Sequence, residues 1–529
     1  MENAVHLEVF KHLFVSVAEE MGVRLRRSAF SPNIKERCDY SCAVFNAQGQ
    51  LIAQAEHIPV HLGAMPLSVE ACLKRLSFAP GDVAIMNDPF EGGTHLPDIT
   101  MVSPVFVELN GQQNLIGFVA NRAHHADVGG MSPGSMPLSQ ELFQEGIIIP
   151  PLKLYTEGQR HEGLWNVFLA NVRTPIERAG DLHAQLAANR TGIERLQALL
   201  ARYGHQVVMA NMENLLTYSE RMTRHLIASL PSGTFHYEDF LDDDGIDAGP
   251  IRIVVAITIQ DDEVVVDFDG SASQCKGSIN AVYAITWSAV AYVLRCLLGL
   301  DIPGNSGCMK PVTVRAPEGT VVNAKRPAAV AAGNVETAQR IVDVLIGAFA
   351  QACPERVPAA SQGTMNNVTI GGWDPERQQA FAYYETLGGG MGAGSQRPGA
   401  SGVHSHMTNT LNTPVEALEY AYPIRVTEYR LRQETGGEGA FPGGDGIVRE
   451  IEFLHDASVT ILSDRRQTKP YGLSGGGSGE IGRNVLVRDG KEDVLPGKIQ
   501  LEVQAFDRLR IYTPGGGGYG RENQKPHER

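Results

Sequence analysis

Two polar loops hold the densest chemistry in this 529-residue chain. The first reads Asn87-Asp88-Pro89-Phe90-Glu91-Gly92-Gly93-Thr94-His95-Leu96-Pro97-Asp98. The second reads Asn121-Arg122-Ala123-His124-His125-Ala126-Asp127-Val128-Gly129-Gly130. Each follows an apolar run of strand character, and strand ends present side chains to a cleft while the strand body stays packed. Histidine and aspartate are ligand types for a divalent metal: imidazole suits Zn²⁺ or Fe²⁺, and carboxylate also suits Mn²⁺. His95 and Asp98 stand three residues apart around Pro97, close enough to chelate one ion from a tight turn that the neighbouring glycines permit. In the second loop, strand alternation puts His125 and Asp127 on one face and His124 on the other, and parity does not choose between them. Asp39, in Arg37-Cys38-Asp39-Tyr40, is a third oxygen source, although an aspartate at a strand start more often serves a turn. Hydrogen-bond networks use the same residue types, so a metal and a network both remain open at this point.

Short elements must hold these loops. Leu7, Phe10, Leu13, Phe14, Val17 and Met21 recur at helical spacing and predict an amphipathic helix over 5–28. Apolar runs at Ser41–Phe45 and Leu51–Ala55 flank a Gly-bearing turn and read as a hairpin. A helix is expected over 64–76, then a strand at 83–86, then two strands at 101–109 and 115–120 joined by Asn110-Gly111. Residues 163–230 read as helical, 235–268 as strands, and 281–298 and 334–352 as helices. Beyond Pro423, short strands alternate with Gly-rich turns. The expected fold class is α+β: a multi-domain mixed α/β body with a β-rich, Gly-rich C-terminal domain. Its parts are an N-terminal α/β metal-site region (1–160), a helical segment (161–232), a central α/β region (233–422), the β-rich domain (423–520) and a polar tail (521–529).

Composition narrows the function classes. The charges sum to 45 − 60 = −15, which argues against a general nucleic-acid binder. With 43% hydrophobic and 20% charged residues, the chain is globular rather than disordered. The seven cysteines are scattered and suggest neither a zinc knuckle nor a disulfide framework, which fits a reducing, cytoplasmic location. The first residues lack a signal-peptide pattern. Residues 281–294 are mostly apolar, but they fall short of the ~20 residues that a membrane span needs, so a buried helix is expected there and no membrane partner.

The runs Gly81-Asp82-Val83, Asn87-Asp88-Pro89-Phe90, Gly93-Thr94-His95-Leu96-Pro97-Asp98 and Arg122 to Gly130 closely resemble the hydantoinase B/oxoprolinase family. So do Ser28-Ala29-Phe30-Ser31, Glu36 to Ser41, Gly333 to Thr337 and Pro442 to Gly446. The resemblance implies an enzyme made as a heteromer of two kinds of chain. A separate hydantoinase A-type partner holds ATP and phosphorylates the carbonyl oxygen of a cyclic amide or ureide. The B-type chain then completes hydrolysis at a divalent metal (Zn, Mn or Fe). Carried over by position, the metal ligands implied are Asp39, His95, Asp98 and His124. In this reading the metal presents hydroxide to the phosphorylated intermediate, while Asp88, Glu91, His125 or Asp127 shuttles protons, these four being unranked. The alternative within the resemblance is a component of an ATP-dependent ketone carboxylase, which shares the fold and the metal loops.

Other signals carry less. The run Gly388 to Ser395 lacks the Gly-Lys-Ser/Thr ending of a P-loop and reads as a flexible or backbone-packing loop. His404 and His406 have no carboxylate within five residues, so a polar loop is favoured over a second metal pair. His57 and His61 stand near the first hairpin, where satisfied hydrogen bonds are their commoner fate. Asn334 and Glu336 suit a helix start. Asp242-Asp243-Asp244-Gly245 lacks the spaced ligands of an EF-hand and reads as a solvated turn.

Overall fold

The computed structural model describes residues 2–55, 58–299 and 302–522, with His57 outside them. Its N-terminal part is built on a seven-stranded sheet. From edge to edge the strands are Leu51–Gln54, Tyr40–Asn46, Gln112–His124, Asp98–Leu109, Val83–Met86, Leu152–Thr156 and Gln159–Arg160. Every neighbouring pair is antiparallel. The two long central strands turn at Asn110 (φ 53°) and Gly111 (φ 77°). A two-residue hairpin turn of this hand needs positive φ at both positions, which Asn-Gly supplies.

Both faces of this sheet are buried, so its strands are apolar on both sides. In Tyr40–Asn46, Cys42 and Val44 pack with Phe10, Phe14, Val17 and Met21 of the helix Glu2–Ser28 and with Leu196 of the helix Pro175–Tyr203. Ala43 and Phe45 face the other way, toward Met65 and Val69 of the helix His61–Arg75. Full burial of each large apolar side chain contributes about 1.5–3 kcal/mol. The helices Glu162–Ala170 and His205–Ala228 complete the expected helical stretch.

A second sheet, ordered Val312–Arg315, Glu263–Asp267, Ala248–Gln260, Gly233–Asp243, packs against the helix Ala338–Ala352. That helix is buried on all sides from Ala338 to Phe349, including Arg340 and Asp343. Burying their charges requires partners. Arg340 bonds Asp239 and Asp464, each at 2.9 Å, and Arg465 reaches Asp343 at 2.7 Å. Two C-terminal sheets follow. One runs Gln379–Glu385, Asn367–Asp374, Ala457–Leu462, Lys498–Val503, drawing strands from both sides of residue 423. The other runs Ile424–Arg432, Gly446–Phe453, Arg508–Tyr512, Arg483–Arg488, Lys491–Leu495.

The glycine run is a packing element. Gly390 N–H bonds Pro514 O at 2.9 Å, Gly444 N–H bonds Met391 O at 2.9 Å, and Gly517 N–H bonds Ala360 O at 2.8 Å. Backbones lie so close that a Cβ on Gly392 would stand 1.9 Å from Ala359 O. The segment Asp242–Gly245 departs from the solvated turn expected of it. Asp242 and Asp244 are each 3% exposed. Asp242 accepts the N–H groups of Arg466, Gln467 and Thr468, and Asp244 accepts those of Ile246, Asp247 and Gly277. Their carboxylates thus satisfy buried backbone donors from distant segments. The apolar helix Tyr283–Leu298 packs in the same core as Ala64 of the helix His61–Arg75. Among the described residues no helix is long and apolar enough to cross a membrane. All seven cysteines are free thiols.

Candidate metal centre

Strand register assembles the site. Asp98 opens one central strand and His124 closes the other, and the two are direct cross-strand partners. On the far side of His124, Tyr40 pairs with Ala123, and the Asp39 carbonyl accepts His124 N–H at 3.0 Å. His95 comes from the turn before Asp98, whose own N–H bonds His95 O at 3.1 Å. One ligand atom from each of His95, Asp98 and His124 lies within 4.8 Å of the others, and all three residues are buried. Asp39 lines the same small cavity but stands outside that 4.8 Å group.

Two further side chains converge here. His61 Nε2 lies 3.5 Å from Asp98 Oδ2, and its Nδ1 lies 2.9 Å from Ser41 Oγ. Asn334 Nδ2 lies 3.0 Å from His95 Nε2 and 3.4 Å from Asp98 Oδ2. Asn334 is therefore not the helix cap that its sequence position suggested. It sits inside a π-helical turn, Gly333–Thr337, whose N-cap is Ala332 and which leads into Ala338–Ala352. Sequence spacing carries no signal for Asn334, since the fold joins it to His95 from 239 positions away. His61 had a signal, being near the first hairpin.

The polar atoms around the cavity fit a cation. His95 Nδ1 donates to Ala331 O at 3.1 Å, which leaves Nε2 with its lone pair directed at Asp98 and Asn334. His124 Nδ1 meets the Asn33 side-chain amide at 3.2 Å, and its ring stacks on Tyr384 with centroids 4.6 Å apart. Asp98 Oδ1, His61 Nε2, His124 Nε2 and Asn334 Oδ1 are buried without a hydrogen-bond partner among the described residues. Buried polar atoms are almost always paired, so four orphans in one place make this cavity a candidate binding site. Imidazole nitrogen and carboxylate oxygen are together the donor set of a Zn²⁺, Mn²⁺ or Fe²⁺ site.

Protonation follows the same logic. Burial opposes charge on Asp98, yet His95 and His61 beside it hold its carboxyl well below the ordinary range. Burial, reinforced by neighbouring His95, pushes His124 well below the ordinary histidine range and keeps its ring neutral. Burial also works against a charge on His95, but the Asp98 carboxylate more than compensates and raises its pKa. For Asp39, burial dominates the nearby Arg37 and raises the carboxyl.

The four residues expected to move protons are placed elsewhere. Asp88 accepts Phe90 N–H at 3.0 Å and pairs with Arg326. Glu91 pairs with Arg75 near the surface. Asp127 pairs with Arg173 at 2.9 Å. His125 turns to the opposite side of the strand from His124, with Nε2 2.9 Å from Gln185 Oε1. None of the four lines the cavity bounded by Asp39, His61, Asp98 and His124.

Residues 3–522 match the model of the hydantoinase B/oxoprolinase family. The chain belongs to that family. It is 41% identical to 5-oxoprolinase 1 of Arabidopsis thaliana, covering 98% of this chain and 42% of that one. This family member thus spans under half the length of that relative. It is 32% identical to a Pseudomonas sp. (strain NS671) protein provisionally named as the B component of a D-/L-hydantoinase, covering 97% of this chain and 89% of that one. The crystal structure of an ATP-dependent caprolactamase from Pseudomonas jessenii superposes with a TM-score of 0.90 at 29% identity, over 99% of this chain and 92% of that one. Nucleotide-free acetone carboxylase shares the fold, with a TM-score of 0.91 at 19% identity over 99% of this chain and 76% of that one.

Proposed function

We propose that this chain is the B-type component of an ATP-dependent hydrolase that opens a cyclic amide or ureide, such as a hydantoin, 5-oxoproline or a lactam. The observation that carries the reading is the register pair Asp98–His124. It brings an orphaned carboxylate oxygen and an orphaned imidazole nitrogen onto one buried cavity beside His95. The relatives support the substrate class, since their names are those of a 5-oxoprolinase, a hydantoinase component and a caprolactamase. The length comparison supports a divided activity. This chain matches 89% of the hydantoinase component yet only 42% of the Arabidopsis protein. An A-type partner that holds ATP and phosphorylates the carbonyl oxygen would supply the rest.

His95, Asp98 and His124 would hold a divalent ion, with Asp39, just before the neighbouring strand, as a fourth ligand and His61 alongside. When bound, the ion supplies Lewis acidity that makes water nucleophilic at neutral pH. The chain's own residues prepare for this. Ala331 O fixes the His95 tautomer, and Tyr384 fixes the plane of the His124 ring. Thr94 Oγ donates to Asp98 Oδ2 at 2.6 Å and leaves Oδ1 free for the cavity. His61, rather than Asp88, Glu91, His125 or Asp127, faces the reacting atoms, because it lines the cavity and they do not.

The test is copurification with an A-type partner, metal analysis, and an ATP-dependent turnover screen over hydantoins, 5-oxoproline and lactams. H95A and D98A are each expected to lose metal and turnover together. A metal-free variant with full activity overturns the reading, and bicarbonate-dependent consumption of a ketone would assign carboxylation instead.

A further inference from the structure

The cavity at the metal centre is too small for a substrate. Its volume is about 20 Å³, room for one water molecule. An outer cavity of about 650 Å³ shares Thr408 with it as a lining residue. Pro59 lines the outer cavity, while Ile58, Val60 and Met407 line the inner one. The partition is thus two short segments, tied by a bond from Val60 N–H to Met407 O at 3.1 Å. The outer volume lies in the usual range for a small-molecule site.

The polar groups of this outer cavity suit an anion. Arg356, Arg397, His404, Ser405 and His406 all line it. The Arg397 guanidinium forms no ion pair or hydrogen bond among the described residues. Arg356 has one loose contact, with Glu355 at 3.9 Å; Glu355 also lines the cavity and is the one carboxylate there, against two guanidinium groups. His406 is only 7% exposed, yet its Nε2 has no partner, while its Nδ1 lies 3.4 Å from the Tyr292 hydroxyl. The Ser405 hydroxyl is likewise buried without a partner, and the buried His404 ring has only the Asn412 side chain beside it. A second metal site is disfavoured, because the one His/Cys/Asp/Glu cluster of metal-binding geometry among the described residues is His95–Asp98–His124. Val293, Leu297 and Ile346 add apolar lining. Two cationic forks, three hydrogen-bonding side chains and apolar lining match an organic ring bearing a dianionic phosphoryl group.

We propose that this outer cavity is the antechamber of the metal centre and that Arg356, Arg397, His404 and His406 bind the phosphoryl group of the phosphorylated substrate. The proposal rests on the function inferred above and names the group by which that substrate is held. Phosphate released by hydrolysis carries the same chemistry and would meet the same residues.

The test uses the purified full chain and labelled inorganic phosphate in equilibrium dialysis, with metal content measured on the same samples. Wild type is expected to bind one equivalent. R356Q/R397Q and H404N/H406N are each expected to weaken binding at least tenfold while metal content stays unchanged. The arginines are exposed, so the first pair tests the site without disturbing the core. H95A should lose metal and keep phosphate, which separates this proposal from the metal reading. Phosphate affinity unchanged in both double variants, or phosphate lost together with metal in H95A, overturns the antechamber. In turnover with the partner, ring opening that falls at least tenfold in R356Q/R397Q while ATP hydrolysis continues assigns the site to the substrate's phosphoryl group. Ring opening per ATP unchanged in that variant, with weaker product inhibition by phosphate, overturns that assignment.

Discussion

Glu145 offers the sharpest test of how the proposed metal centre is held. It lines no part of the inner cavity, yet its Oε1 accepts three donors: Ser139 Oγ at 2.7 Å, Val330 N–H at 2.8 Å and Ala331 N–H at 3.0 Å. The carbonyl of that same Ala331 fixes His95 Nδ1. Glu145→Ala would orphan all three buried donors. Each orphan costs about 1–3 kcal/mol, and water entering the space left behind favours the lower end, so the expected loss of stability is about 3 kcal/mol. With Ala331 released, His95 loses its orienting bond, and loss of such a partner costs about 10–100-fold in metal affinity. Glu145→Gln keeps one acceptor oxygen and should hold metal within a few fold of wild type. The assay is chelator competition for Zn²⁺ together with urea unfolding of the metal-free chain. Zn²⁺ affinity in E145A equal to wild type, with H95A losing the metal, would refute the orienting role.

The same side chain makes a pH prediction. Burial raises the Glu145 carboxyl from 4.5 to about 7, despite its hydrogen bonds. A folded pKa above the unfolded one means that the contribution to stability is complete below pH 4.5 and fades as pH rises through 7. The span is 7 − 4.5 = 2.5 units, or about 3 kcal/mol at 1.36 kcal/mol per unit. In metal-free protein, the stability difference between wild type and E145Q should therefore shift by about that amount, in favour of E145Q, from pH 4.5 to 8. A flat difference across that window would show that Glu145 ionises normally.

Further outcomes follow from the placement of other residues. Glu91→Gln should leave metal content and turnover within twofold of wild type, because this carboxylate pairs with Arg75 outside the cavity; a tenfold loss of turnover would return Glu91 to the chemistry. Gly392→Ala should lower stability by at least about 3 kcal/mol in thermal or urea unfolding, since its Cβ would stand 1.9 Å from a backbone oxygen that cannot rotate away; a folded variant of unchanged stability would contradict the packed-glycine reading. Asn334→Ala should weaken Zn²⁺ binding in the same competition assay, as it removes a side chain that touches both His95 and Asp98, and unchanged affinity would reduce Asn334 to a bystander.

Much of the scaffold was legible because local pattern and tertiary demand agree. The apolar spacing of Phe10, Phe14, Val17 and Met21 reads as one helix face, and that face is buried on the sheet. The Asn110-Gly111 pair reads as a hairpin and is one. Legibility fails where long-range contacts decide. The acidic run at Asp242–Asp244 looks solvated until segments from residues 277 and 466–468 arrive to use it. The glycine run leaves a flexible loop and a backbone-packing one both open, because nothing local shows that distant backbone segments press against it. Asn334 looks like a cap because its metal-centre neighbours are 236 and 239 positions away in sequence.

The parity question shows most clearly what a single sequence withholds. Next to the turn, Leu109 pairs with Gln112, so an unbroken ladder would set Asp98 opposite Ala123. The ladder is broken: Phe106 pairs with Leu115 but Val105 with Gly117, leaving Ile116 as an extra residue in a bulge. From there on the register is shifted by one, and His124 arrives opposite Asp98. Beside the bulge, Gly117 lets the next strand approach closely, since a Cβ there would stand 2.1 Å from Phe45 O. Counting alternation from either end therefore cannot select the histidine that meets Asp98, since the count changes within the strand. A bulge that re-aims a side chain next to a functional centre is a recurring device. Here the extra residue, Ile116, lies eight residues along the strand from the histidine it places.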